Sequence, residues 1–144
     1  MKNLYTLIIV LIAFSAGAQS LKEKQALANL DFSWSEKRIL ENYNSAVKIE
    51  LEQSTFAGDM DAILYADSRG AQTAANAIAK VCNNNLGKEA LQGKKITKVI
   101  LKNDKEKSPK VTIDKGIMTL WIGFSTSDKY FSPAELQEAI ENML

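Results

Sequence analysis

The sequence predicts a two-layer α+β domain: a four-stranded, mostly antiparallel sheet with helices mainly on one face. Three observations carry that prediction. Residues 47–52 alternate strictly between apolar and polar, the period of a half-buried strand. Residues 95–124 then read as three closely spaced strands, joined by a polar loop and by Lys115-Gly116, where Gly supplies the positive φ of a tight hairpin. Around them, apolar residues recur at i, i+3, i+4 and i+7, the signature of helices with one buried stripe.

Taken in order, residues 1–18 have the regions of an export signal. Lys2 is the positive start, residues 7–14 are a short apolar run, and Ala16-Gly17-Ala18 is an A-x-A cleavage site before Gln19. The run is too short for a comfortable membrane span. The expected organisation is a signal peptide, 1–18, cleaved after Ala18, and a single globular domain, 19–144. That domain is expected in the periplasm or outside the cell, with no stable membrane insertion of the mature chain.

Residues 20–30 suggest a short helix. Ser33 and Glu36 have capping-box spacing, Ser at the N-cap and Glu at N3, opening a helix over 34–43. Residues 44–53 fit either a continued helix or a strand. Asn42 and Asn44 weaken the helix, so a strand over 46–53 is preferred. A short helix over 59–65 has Asp59 as its N-cap. Helix 71–84 carries Ala71, Ala74, Ala75, Ile78, Val81 and Cys82 on one face. Residues 88–92 suggest one more helical turn.

The three sheet strands are expected at 96–102, 110–114 and 117–124. In the last, Met118, Leu120, Ile122 and Phe124 share one face, and Ile117, Thr119 and Trp121 the other. Val99, Ile100 and Leu101 are expected to be buried on both sides. Ser132, Pro133 and Glu135 combine an N-cap, a proline at N1 and a Glu at N3, so a helix over 133–143 follows.

Composition excludes much chemistry. The chain has no histidine, which removes the usual neutral-pH base, the commonest transition-metal ligand and every His-containing triad. With a single Cys besides, a zinc site would have to be built from carboxylates almost alone. No cofactor, metal or catalytic residue is assigned. The chain has 18 basic and 17 acidic residues, and Lys2 is the one charge in the signal, so the remainder is neutral. A neutral exported domain lacks the basic surplus of a nucleic-acid binder.

Four local features bear on function. Cys82 closes an apolar helical stripe, where a free thiol packs as a small hydrophobe. Asp59, Asp61 and Asp67 fail the spacing of a calcium loop. Glu50 and Glu52 fit the wet face of a strand better than a glycosidase pair. Seven lysines between Lys94 and Lys110 fit a solvated sheet edge.

The remaining candidate is a partner-binding face formed by Trp121, Thr119, Lys98 and Lys102, where an aromatic outside the core row can anchor a partner. The expected function is a small exported non-enzymatic binding or interaction module, with an unknown protein or glycan partner in the cell envelope. The alternatives are a small secreted enzyme using carboxylates or the Cys82 thiol, and a self-assembling envelope component.

Overall fold

A computed structural model describes residues 20–144; the expected signal peptide, 1–18, lies outside them. The protein is α+β, and the described residues form four strands in the spatial order β1-β2-β4-β3: β1 Lys48–Leu51, β2 Lys98–Asn103, β3 Lys110–Asp114 and β4 Ile117–Ile122. Among the described residues the helices are α1 Leu21–Ala28, α2 Ser33–Tyr43, α3 Met60–Tyr65, α4 Gln72–Val81, α5 Asn85–Gly93 and α6 Pro133–Glu141.

The sheet is mixed rather than mostly antiparallel. β1 runs parallel to β2 and β2 parallel to β4; only β3 and β4 are antiparallel. Short connections between β2, β3 and β4 predict a meander of consecutive antiparallel neighbours, but β4 inserts between the other two. Burial accounts for the choice. Met118, Thr119, Leu120 and Ile122 are all buried, whereas β3 carries Lys110 and Asp114 exposed and nothing fully buried. The more apolar strand takes the interior position and the more polar one the edge. The loop over 104–109 permits this. Crossing two strand spacings takes about 10 Å, and six residues span up to about 20 Å.

Lys115 (φ 48°) and Gly116 (φ 78°) form the expected β3–β4 hairpin turn, both in the left-handed region. A side chain on Gly116 would also meet the Lys95 carbonyl oxygen at 2.6 Å. The β1–β2 pair is parallel, so it needs a crossover, and helices α3 to α5 supply it.

Asn44 ends α2 in the left-handed conformation (φ 63°), which frees the following residues to form a strand. That strand is shorter than expected, because Gln53–Phe56 closes into a 3₁₀ turn. The Ser33–Glu36 capping box does not form. Ser33 lies inside the first turn, and its N–H donates to Asp31 Oδ1 (2.8 Å). Glu36 reaches β1 instead, accepting from the Ile49 N–H (3.0 Å) and from Lys48 Nζ (2.8 Å). Lys48 and Glu52 turn their N–H groups to β2, so the Ile49 N–H faces the outer edge, and Glu36 covers it.

Helix α3 runs through a π-helical turn, Ala66–Ala71, into α4. Alanines at 71, 74, 75 and 77 are fully buried, so α4 lies close to its neighbours α2 and α6. The π turn brings Gly70 against the sheet, where a Cβ would sit 2.7 Å from Phe124 and 2.8 Å from Leu101. Beside it Arg69 stacks between Tyr65 and Tyr130, 4.0 and 4.5 Å from the ring centroids, and donates to the carbonyls of Phe124 and Thr126. Helix α6 begins with the expected Ser132–Glu135 capping box and Pro133 at N1.

The core fills the space between this helical layer and the inner sheet face: Ile49, Val99, Leu101, Met118, Leu120, Ile122 and Phe124. Ile100 is only half-buried, so β2 is covered on one side, not on both as expected.

Candidate partner-binding face

Strand alternation places Lys48, Glu50, Lys98, Ile100, Lys102, Lys110, Thr112, Asp114, Ile117, Thr119 and Trp121 on the sheet face turned away from the helices. Register arranges them in rows. Lys98, Ile117 and Asp114 form one; Ile100, Thr119 and Thr112 the next; Lys102, Trp121 and Lys110 the third.

In the third row Trp121 is half-buried between two lysines. Lys102 Nζ lies 5.4 Å and Lys110 Nζ 5.3 Å from its ring centroid, one from each neighbouring strand. A cation near an aromatic face is held by the ring quadrupole. Both ammonium groups are therefore drawn to the indole, where a flat sugar ring would compete with them to stack.

Electrostatics separate the lysines. Lys98 pairs with Glu50 and Lys102 with Glu52, each at 2.9 Å. Lys110 has no ion pair among the described residues. Beside it a cleft of about 250 Å³ is lined by Asp104, Lys107, Ser108, Lys110 and Trp121. Asp104 shapes its rim, accepting from the N–H groups of Glu106 and Lys107, both at 3.3 Å, as a short polar side chain does in a turn.

All four expected face residues thus share one surface, with different places in it. Lys102 adjoins Trp121. Lys98 lies in another row and is bound to Glu50. Thr119 is nearly covered by its neighbours, at 9% exposure, so it supports the face rather than presenting itself. Lys110 was missed. Its signal was in the hairpin: a turn at 115–116 pairs 114 with 117, and counting outward sets Lys110 opposite Trp121.

Tyr43 is not part of this face. It is buried on the helical side, where its hydroxyl accepts from the Ile96 N–H (2.9 Å) and lies 3.4 Å from the Leu91 carbonyl. A depression of about 420 Å³ lies there, lined partly by Tyr43, Ser45, Gln92, Lys95 and Thr97. Two of its polar groups are already used in the fold, since Gln92 Nε2 donates to the Tyr43 carbonyl (2.9 Å).

Two other groups bear on chemistry. Cys82 is half-buried, and burial pushes its thiol up, only partly opposed by the charge of Lys88. An activated thiolate requires the opposite shift. Asp59 caps α3 as expected, accepting from the Ala62 N–H (3.0 Å), and also binds Ser125 Oγ (2.9 Å) and Asn103 Nδ2 (3.2 Å). Burial pushes its carboxyl up, but these hydrogen bonds and Lys105 outweigh it and hold the group below its usual range. Asp59 thereby ties the helical layer to the carboxyl ends of β2 and β4.

The geometry defines an α+β domain whose sheet is covered by helices on one face and open on the other. Compared with known proteins, the chain matches no family model, no curated protein and no solved structure.

Proposed function

We propose that the chain is a small exported, non-enzymatic binding module of the cell envelope, whose contact surface is the open sheet face around Trp121. The observation that carries this reading is the Lys102–Trp121–Lys110 row beside the Asp104–Lys107–Ser108 cleft. A half-exposed indole supplies contact area, and Lys110 supplies a positive charge that no carboxylate among the described residues pairs with. Such a surface fits the acidic side chains of an envelope protein. An acidic glycan is the competing ligand.

Cross-linking in intact cells, followed by mass spectrometry, tests the reading. Links from Lys102, Lys107 and Lys110 to one protein, lost in Trp121→Ala, are expected. Links from the helical layer alone would refute the site. Links to no protein, together with retention on an acidic polysaccharide that Trp121→Ala abolishes, would replace the protein partner with a glycan.

A further inference from the structure

The two edges of the sheet are treated differently. On β1 the outward Ile49 N–H is taken by Glu36, and Lys48 lies over the same carboxylate. On β3 no hydrogen bond among the described residues reaches the backbone of 110–114 from outside the β4 ladder. Unpaired strand groups are a template for another strand, and the edge lysine that can block such pairing, Lys110, has an oppositely charged counterpart in Asp114 of the same strand. Pro109, which has no N–H, bounds the open stretch at one end, and the Lys115-Gly116 turn bounds it at the other.

The sequence of that open stretch is Lys-Val-Thr-Ile-Asp. Reversed and laid against itself about Thr112, it is complementary at every position. Lys110 faces Asp114 of the second copy, and Asp114 faces its Lys110. Val111 faces Ile113, and Thr112 faces Thr112. Lys110, Thr112 and Asp114 lie on the open face, and Val111 and Ile113 on the helical face, so charged meets charged and apolar meets apolar. Opposite charges and β-branched residues are favourable cross-strand pairs. A two-fold interface must be self-complementary in this way.

We propose that two copies of the chain pair antiparallel through β3, centred on Thr112, to make one continuous eight-stranded sheet. The inference does not depend on Trp121 binding a partner. If it does, pairing sets the two Trp121 side chains on one surface about 20 Å apart, from three strand spacings across and four residues along. A ligand with repeated acidic groups would then meet two sites at once.

Two independent measurements test the pairing on the protein purified as the cell processes it. The first is sedimentation across concentration. The wild type is expected to dissociate on dilution, and Asp114→Lys, which sets lysine against lysine twice, to weaken association at least tenfold. Adding Lys110→Asp restores the opposition of charge and is expected to bring the dissociation constant back within about threefold of wild type. The second is disulfide trapping in a Cys82→Ser background. Paired residues lie about 4.5–5.5 Å apart between Cα atoms, within disulfide reach, so Thr112→Cys is expected to link two copies under mild oxidation and Asp114→Cys not. A monomer at all concentrations would overturn the proposal. So would a dimer indifferent to Asp114→Lys, equal linking at 112 and 114, or linking of residue 112 to a different protein.

Discussion

Arg69 fastens the segment after β4 to the helical layer, and removing it should be costly. Its guanidinium donates to the Phe124 and Thr126 carbonyls, the second at 3.3 Å, and lies between the rings of Tyr65 and Tyr130. A hydrogen bond from a charged donor contributes about 1.5 kcal/mol at the low end, and the longer bond less. Each cation–π contact at a half-exposed site adds about 0.5 kcal/mol. Arg69→Ala is therefore expected to destabilise the protein by about 2–3 kcal/mol. Arg69→Met keeps an unbranched side chain between the rings but loses both bonds, and should recover only about 1 kcal/mol. The assay is urea unfolding followed by far-ultraviolet circular dichroism, with both variants at one temperature and salt. A loss under about 0.5 kcal/mol for Arg69→Ala, or full recovery in Arg69→Met, would show that the carbonyl bonds do not hold the segment.

Two further perturbations probe the ends of the strands. Tyr43→Phe leaves the Ile96 N–H without its buried acceptor and should cost about 1–2 kcal/mol in the same urea assay, despite the nearly unchanged volume. Asp59 has a depressed folded pKa, so its contribution is present above the unfolded value of about 3.9 and is lost as pH falls through the folded one. Asp59→Asn can still cap α3 but cannot titrate. Its stability should fall less than the wild type's between pH 7 and pH 3, and equal falls would remove Asp59 from the acid response.

Local chemistry was legible in the sequence. Ser132, Pro133 and Glu135 opened α6 because capping depends only on near neighbours, and Lys115-Gly116 fixed the hairpin for the same reason. The end of α2 was legible at Asn42 and Asn44. Long-range order was not. Nothing local says that β4 passes between β2 and β3, since that choice rests on which strand buries more when the layers meet. Glu36 shows the same limit: its spacing from Ser33 satisfies a capping rule, yet the better use of its carboxylate is an N–H thirteen residues away, across the edge of the sheet. At the candidate face, alternation along β4 found Trp121 and Thr119. Pairing Trp121 with Lys102 required the parallel β2–β4 register, which the expected meander did not contain.

In the proposed function the open sheet face, not the helical layer, meets a partner. A photo-activated cross-linking residue placed at Trp121, and separately at the exposed Leu86 of α5, tests it most directly in living cells. A discrete adduct is expected from position 121 and none from position 86. An adduct from position 86 with none from 121 would contradict it and move the contact surface to the helices.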